Sequence, residues 1–192
     1  MIRKLYDFCI ALAQTPHALW VLAAVAFMES SFFPIPPHAL IVPMVIAMPE
    51  RAWRIAFVAT VASVAGGIFG YWIGATLFDA VAQPILDFYG KAAYFEEFAA
   101  RYNEEGAWIV LFAGLTPFPY KIITIASGAT ALDFTTFLAA SIVARGTIFF
   151  VIAGLLWKFG PPVRTFIEKR LGLMFTLFML LLIGGFFAVR YI

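Results

Sequence analysis

Four ionisable side chains interrupt long apolar stretches of this sequence, and these are Glu29, His38, Lys121 and Arg145. A charge at the centre of a membrane span costs roughly 2.5–3.5 kcal/mol on insertion scales, so such residues are rare and usually functional. Arg145 lies almost at the midpoint of the apolar run 134–157, where its side chain reaches neither interface. Two fixed cations and a histidine facing one acid leave positive charge, which indicates an anion site. A phosphate head group fits such a site best.

A purely structural role is the alternative for these charges. Glu29 would then pair with Arg145 or Lys121 and hold the helices together without binding a ligand. The sequence leaves the choice between the two cations open. His38 taken alone is more typical of a packing residue, but its position in the repeat described next raises it to a candidate.

The charged residues lie beside a short phrase that occurs twice, in which two prolines precede a basic residue. The two copies read Pro34-Ile35-Pro36-Pro37-His38 and Pro117-Phe118-Pro119-Tyr120-Lys121. A repeat of this kind indicates two related halves of one fold. We therefore add Pro36, Pro119 and Tyr120 to the candidate site.

Apolar runs flank each copy, and their lengths predict hairpins that enter the membrane without crossing it. A span needs about 20 residues, because the hydrocarbon core is about 30 Å thick. Residues 39–48 and 107–115 reach only about half-way. Two interrupted apolar segments at matching positions of two halves are typical of a transport site. The two tips, with the positive helix ends that begin there, are expected to meet near the midplane.

The composition is that of an integral membrane protein. Hydrophobic residues make up 64% of 192 residues and charged ones 12%, with a mean hydropathy of +0.95. Soluble domains have about 25% charged residues. The net charge of +2 is too small to indicate nucleic acid as a partner. A single cysteine, Cys9, and the absence of Cys-x-x-Cys or His-Glu-x-x-His patterns argue against a disulfide, a metal site or another cofactor.

The predicted fold is an all-α integral membrane fold with one domain, residues 1–192. Residues 17–78 form a first repeat and residues 107–157 a second, each a re-entrant helical hairpin followed by one transmembrane helix. The glycines Gly66, Gly70 and Gly74 predict a bare face on the first long helix, against which a neighbour packs closely. Asp133 is a predicted N-cap for the second long helix.

Three further segments complete the predicted fold. In residues 79–106 apolar and charged residues fall on different helix faces. This pattern predicts an extracytoplasmic pair of amphipathic helices, hinged near Gly90 and lying on the membrane. Residues 2–15 predict another interfacial helix. Pro161-Pro162 is expected to end the second long helix, and 172–190 to form a separate C-terminal transmembrane helix.

The distribution of Lys and Arg predicts the orientation. Of the 13 basic residues two lie inside apolar elements, and the other eleven divide eight to three between the two faces. The eight are Arg3, Lys4, Arg51, Arg54, Lys158, Arg164, Lys169 and Arg170; the three are Lys91, Arg101 and Arg190. This bias predicts a cytoplasmic N-terminus and a multi-pass chain whose two repeats have inverted topology.

Several of these stretches resemble the DedA membrane proteins, also called SNARE-associated or VTT-domain proteins, and within them the YqaA-like branch. The residues that carry the resemblance are Glu29-Ser-Ser-Phe-Phe-Pro-Ile-Pro-Pro-His38, Gly66-Gly-Ile-Phe-Gly-Tyr-Trp-Ile-Gly74, and Thr116-Pro-Phe-Pro-Tyr-Lys-Ile-Ile-Thr-Ile-Ala-Ser-Gly128 with Ala144-Arg-Gly146. The resemblance covers about residues 17–160, and the order and spacing of the motifs make it specific.

The resemblance implies a bacterial inner-membrane protein with two opposed re-entrant hairpins. It implies movement of lipid between leaflets, with undecaprenyl phosphate or phospholipid as the cargo. It also implies a functional role for Glu29, since a Glu at the first hairpin is a functional residue of the family. Two departures from the family pattern argue against a two-acid proton relay. Where family members have a second acid this chain has His38 nearby, and where they have two arginines around the second tip it has only Lys121.

The sequence thus predicts a transporter rather than an enzyme, a flippase or scramblase for a lipid phosphate. Protons are the candidate coupling ion, and a homo-oligomer is left open. Two alternatives remain, a membrane-embedded enzyme acting on lipid phosphates and a proton-coupled exporter of small ions. Gly-x-Ser-x-Gly is absent, and Ser30, Ser31 and Ser127 have no candidate base except His38, which argues against the enzyme.

Overall fold

The structure, a computed structural model, describes residues 15, 17–32, 36–116 and 118–188, without the side chains of 79, 161 and 163–188. The described residues form helices and turns and no strand. The α-helices in chain order are α1 Ala18–Ser31, α2 His38–Ala47, α3 Ala52–Leu77, α4 Gln83–Phe88, α5 Ala92–Glu104, α6 Gly106–Leu115, α7 Tyr120–Ala129 and α8 Phe134–Ala188. A 3-10 turn, Pro49–Arg51, precedes α3, and a π-helical turn, Phe78–Ala82, follows it.

Within the described part of the chain, two helical stretches are long and apolar enough to cross a membrane. These are Pro49–Phe88, with 40 residues, and Phe134–Gly160, with 27. The apolar helices α1, α2 and α6 are shorter, at 14, 10 and 10 residues. Ten residues cover about 15 Å, half of the hydrocarbon thickness. The short apolar segments predicted at 39–48 and 107–115 are therefore confirmed as helices, each within one residue of its predicted bounds.

The two long helices, α3 and α8, pack against each other in opposite directions at the centre of the molecule. Near the start of α3 the ring of Trp53 stacks on Phe150, with ring centroids 6.1 Å apart. Near its end Tyr71 contacts Phe137, with centroids 5.1 Å apart. Residue numbers rise along α3 while those of their partners fall along α8, so the two helices are antiparallel.

The short helices form two pairs, α1 with α2 and α6 with α7, and the two members of each pair pack on different long helices. Helix α1 packs mainly on α3 and α2 on α8, whereas α6 packs on α8 and α7 on α3. The first helix of each pair thus contacts the long helix of its own half, and the second contacts that of the other half. The Thr124 hydroxyl on α7 donates a hydrogen bond of 2.9 Å to the backbone carbonyl of Ser30 on α1. This exchange interlocks the two halves.

Glycines on α3 let α1 and α7 approach its backbone closely. A Cβ at Gly66 would overlap the backbone carbonyl of Phe27 on α1. A Cβ at Gly74 would overlap the backbone carbonyl of Ile125 on α7. One at Gly70, between them, would meet the side chain of Thr124 on α7. The bare helix face predicted from the four-residue spacing is confirmed.

Two apolar clusters lie on either side of the point where the long helices cross. One joins α1, α2, α3 and α8 and includes Leu22, Ile41 and Phe149. The other joins α5, α6, α7 and α8 and includes Val110 and Phe137. Between helices in a bilayer, close packing rather than exclusion from water supplies the attraction. The clusters therefore fix the geometry of the region between them.

The connection between the halves is a helical hairpin that turns at Gly90. This glycine has φ +63°, a conformation that side chains disfavour, so the predicted hinge is confirmed. The rings of Phe78 and Phe95 stack with centroids 4.3 Å apart and close the hairpin. At its far end the buried Tyr102 hydroxyl lies 3.0 Å from the Ser127 hydroxyl on α7. Burial raises the pKa of Tyr102, so this hydroxyl keeps its proton.

The N-cap predicted for α8 is also confirmed. The carboxylate of Asp133 accepts a hydrogen bond of 2.7 Å from the backbone N–H of Thr136, one of the donors that the first helical turn leaves unpaired. Hydrogen bonds from the backbone and side chain of Thr136 lower the pKa of Asp133. The cap is therefore ionised at neutral pH, where its charge also favours the positive end of the helix.

The expected stop at Pro161-Pro162 is wrong, because α8 continues through both residues to Ala188. Each proline removes only one backbone donor, and long apolar helices tolerate that loss. The helix predicted at 172–190 is, as far as Ala188, the end of α8 rather than a separate element. The interfacial helix predicted at 2–15 lies, apart from residue 15, outside the described residues.

Candidate functional site

Polar side chains meet where α1, α3, α7 and α8 come together. We define this central cluster as Glu29, Ser30, Ser63, Tyr120, Ser141 and Arg145. All members except the partly buried Glu29 are buried. Polar groups so deep in an apolar bundle are costly unless they have partners, so each of them needs an account.

An ion pair between Glu29 and Arg145 joins the two halves of the molecule. Nη2 of Arg145 lies 2.7 Å from Oε2 of Glu29, and the two side chains are only 4% and 14% exposed. Glu29 lies in the last turn of α1, and Arg145 near the middle of the apolar stretch Phe134–Gly160. The sequence left Glu29 with two possible partners, and the structure selects Arg145.

Two serines complete a ring of hydrogen bonds with this pair. Nε of Arg145 donates to the hydroxyl of Ser63 on α3 at 2.6 Å. The hydroxyls of Ser63 and Ser30 lie 2.7 Å apart, and Ser30 donates to Oε2 of Glu29 at 3.1 Å. Four hydrogen bonds thus connect α1, α3 and α8 through one closed circuit.

Aromatic rings cover the guanidinium of Arg145. Its central carbon lies 4.8 Å from the ring centroid of Tyr120 and 4.6 Å from that of Phe149, within the range of cation–π attraction. The Tyr120 hydroxyl donates to Ser141 at 2.5 Å, which fixes the ring. The two rings restrict the plane of the guanidinium.

Arg145 has more hydrogen-bond donors than the described residues use. A guanidinium carries five N–H bonds. Among the described residues, Ser63 accepts one and Glu29 accepts one, so three have no acceptor there. Unused donors on a buried cation are costly in an apolar interior, and an anion of suitable shape would satisfy them.

The other predicted site residues lie outside the cluster. The ring of His38 packs against Phe149, with centroids 5.5 Å apart. Lys121 is partly buried in the first turn of α7 and forms no ion pair with any described residue. Pro119 precedes α7 and is partly buried, whereas Pro36 is exposed ahead of α2. The tip residues 33–35 and 117 lie outside the described residues.

Sequence reasoning missed the serines that organise Arg145, although two signals were available. Ser63 comes three residues before Gly66, so it continues the glycine face of α3 by one turn. Ser141 comes four residues before Arg145 and therefore shares its helix face. Trp72, an aromatic residue of the same region, is 60% exposed and lies outside the cluster.

Comparison with known proteins identifies the family of the chain. A sequence profile described as the VTT domain matches residues 15–158. The chain belongs to the VTT-domain, or DedA, family. An uncharacterised Haemophilus influenzae protein is 34% identical over 168 residues, covering 85% of this chain and 87% of its own. An uncharacterised Histophilus somni protein is 36% identical over the same shares. No solved structure matches.

Membership of the VTT-domain family identifies the chain as a membrane protein, in agreement with its two long apolar helical stretches. The matched region contains both pairs of short helices, the whole of α3 and the part of α8 up to residue 158. It also contains every residue of the central cluster. The whole cluster therefore lies within the matched region.

Proposed function

We propose that this VTT-domain protein moves a phosphate-bearing lipid, a polyprenyl phosphate or a phospholipid, between the leaflets of the bacterial inner membrane. The observation that carries the proposal is the ion pair between Glu29 and Arg145, which is buried among apolar helices and contributed by both halves. A buried pair is poor evidence for stability, because desolvation offsets much of its Coulomb attraction. Within a membrane domain, such charges mark the path of a substrate or a proton.

The packing supports two inverted repeats with re-entrant hairpins. Helices α3 and α8 are antiparallel, and the short helices contact them in an exchanged but equivalent way. Ten-residue helices that break beside prolines fit segments that enter and leave the membrane on the same side. In transporters built from inverted repeats the site lies near the midplane between the repeats. The position of the central cluster between the two halves of this chain supports the same placement here.

The charges support an anionic substrate. Three N–H donors of Arg145 have no acceptor among the described residues, and a guanidinium grips a phosphate with two parallel hydrogen bonds. Lys121, also without an ionic partner there, adds a positive charge in the first turn of α7. The partial positive charge at the start of that helix favours an anion at the same end. A lipid phosphate supplies the anion together with chains that suit apolar surroundings.

Glu29 offers a way to couple this transport to protons. Its carboxylate occupies one Nη2 donor of Arg145 in the described state. Protonation would remove the negative charge and free that donor for a phosphate oxygen. Proton binding at Glu29 and phosphate binding at Arg145 would then favour each other, which is the coupling that a proton-driven transporter requires.

The two alternatives receive less support from the described residues. An enzyme using a serine nucleophile would need a base within hydrogen-bond reach. His38 packs on Phe149 and makes no hydrogen bond to a serine among the described residues. An exporter of small ions would use Glu29 equally well. The assay described next distinguishes ion export from lipid transport.

The test is a leaflet-exchange assay with the purified protein in liposomes, using a fluorescent polyprenyl phosphate and a fluorescent phospholipid. Wild-type protein should accelerate exchange of at least one reporter, and Glu29→Gln should abolish it because the amide cannot hold or release the proton. Glu50→Gln is the matched control, since Glu50 is an exposed carboxylate in the turn before α3.

Other outcomes of this assay would contradict the proposal. Release of inorganic phosphate would identify an enzyme. Proton or ion flux without exchange of either lipid would identify an exporter. Wild-type exchange with normal pH dependence in Glu29→Gln would remove Glu29 from the mechanism.

A further inference from the structure

The hydrogen-bond ring of the central cluster allows only one direction of donation while Glu29 is ionised. A carboxylate only accepts hydrogen bonds and a guanidinium only donates them. Ser30 gives its single hydroxyl proton to Glu29, so it accepts from Ser63 at 2.7 Å. Ser63 in turn accepts the Nε proton of Arg145 at 2.6 Å. The ring thus runs from Arg145 through Ser63 and Ser30 to Glu29.

Arg145 is therefore held at two points that respond differently to protonation. Its Nη2 bond to Glu29, 2.7 Å long, depends on a charge that protonation removes. Its Nε bond to Ser63 joins it to a neutral hydroxyl that does not titrate at physiological pH. The rings of Tyr120 and Phe149 lie over the guanidinium and restrict its plane.

We propose that Ser63 is a positioning residue that holds Arg145 at Nε in both protonation states of Glu29. Protonation of Glu29 then frees the Nη nitrogens for a phosphate without freeing the side chain. Because the guanidinium of Arg145 is already ordered, less conformational entropy is lost when the substrate binds. The inference rests on the proposed function of the cluster, whereas the geometry it predicts is measurable without transport.

Among the described residues few titratable groups lie near Glu29 and Arg145, which makes the proposal testable by fixing one charge. Helix α7 contributes Tyr120 and Lys121, and α2 contributes His38, which lies within electrostatic reach of Arg145. At this level α3 contributes the neutral Ser63. Substituting Glu29 by Gln imitates the protonated acid and leaves these other groups unchanged.

Ser31 provides a matched control for Ser63. It is equally buried and lies in the same contact between α1 and α3. Its hydroxyl is 2.7 Å from the backbone carbonyl of Phe27 and 2.9 Å from that of Gly66, and it forms no hydrogen bond with Glu29 or Arg145. Ser31→Ala therefore removes a hydroxyl from this contact without changing the ring.

The direct test measures hydrogen exchange with water at the Arg145 side chain. The exchange is monitored by NMR on protein labelled with 15N-arginine in lipid nanodiscs. The Nε–H resonance of Arg145 is assigned by its loss in Arg145→Lys. In the Glu29→Gln background, adding Ser63→Ala should accelerate exchange with water about tenfold, the effect of losing one hydrogen bond to a charged group. Adding Ser31→Ala should leave the rate unchanged.

Equal exchange rates in the Ser63→Ala and Ser31→Ala proteins would overturn the proposal. If Ser63→Ala fails to fold, Ser63→Thr and Ser63→Val replace it, because these two side chains differ only by a hydroxyl against a methyl group. Slow exchange in Ser63→Thr and fast exchange in Ser63→Val supports the role of the hydroxyl. Equal rates in that pair contradict it.

Leaflet exchange supplies the functional test. Ser63→Ala should lower the exchange rate about tenfold, with the loss greatest when Glu29 is protonated, and Ser31→Ala should not. A wild-type rate and pH profile in Ser63→Ala would contradict the functional part of the proposal. If the wild-type protein moves no lipid while the NMR result holds, the proposed function fails and the positioning role of Ser63 stands.

Discussion

At the scale of single residues, the meaning of Arg145 depends on whether Glu29 is its only counter-charge. Removing one partner of a buried pair typically costs about 3–5 kcal/mol, because the other charge is left uncompensated. Removing both costs far less. A structural bridge and a phosphate clamp therefore make the same prediction for stability and opposite predictions for function.

We expect the double variant Glu29→Gln with Arg145→Gln to recover thermal stability but not lipid transport. No charge is then left unpaired, yet the three open N–H donors of Arg145 are lost as well. Arg145→Lys should transport weakly at best, since a lysine cannot reproduce the bidentate fork. The measurements are the Tm in detergent and the leaflet-exchange rate. Substantial recovery of transport in the double variant would leave only a structural bridge.

At the scale of elements, the approach of α7 to α3 decides where the second half of the site lies. This approach depends on glycines, because the backbone of α7 occupies the space that a side chain on α3 would need. The same contact carries the hydrogen bond from Thr124 to Ser30. A side chain that separates these helices would therefore also open the central cluster.

Gly74→Ala should destabilise the protein by about 1–3 kcal/mol, the usual cost of overpacking, because its Cβ would overlap the backbone of Ile125, which cannot rotate away. Gly146→Ala on α8 is the control. Its Cβ would meet only the Thr60 methyl at 3.9 Å, an ordinary contact, and alanine favours the helix by about 0.5–1 kcal/mol. Thermal unfolding in detergent distinguishes the two. A Tm for Gly74→Ala equal to that of the control would mean that α3 and α7 are not in close contact.

At the scale of the whole molecule, inverted repeats require the two ends of α3 to lie on opposite sides of the membrane. The turn at Glu50 precedes α3, and Glu97 on α5 follows it, and both side chains are exposed. The predicted excess of basic residues on the first side would place Glu50 at the cytoplasmic face. The hairpin of α4 and α5 would then lie on the outer surface.

Single-cysteine labelling in a Cys9→Ser background should give opposite results for Glu50→Cys and Glu97→Cys. A reagent that cannot cross the inner membrane should label the second in intact spheroplasts and the first only after the membrane is opened. Each variant is the control for the other, because both replace an exposed glutamate. Labelling of both from one side would reject the proposed topology.

Local features of the fold followed from the sequence because their causes lie within a few residues. The short helices α2 and α6 follow from the length of an apolar run, and the cap at Asp133 from a side chain within one turn of its donor. The hinge at Gly90 follows from a backbone conformation that glycine adopts freely. The stop at Pro161-Pro162 failed for the opposite reason, since whether a helix survives the loss of two donors depends on its surroundings.

The sequence by itself thus determined which residues carry charge in an apolar region, and it predicted two matching halves. Only the tertiary structure decided how those charges are paired. Glu29 meets Arg145 rather than Lys121 because α1 packs beside the point where α8 crosses α3, a relation between segments more than a hundred residues apart in sequence. The role of Ser63 also depends on the tertiary structure. A serine on the glycine face of α3 becomes a partner of Arg145 only because the antiparallel packing of α3 and α8 brings the two residues to the same level.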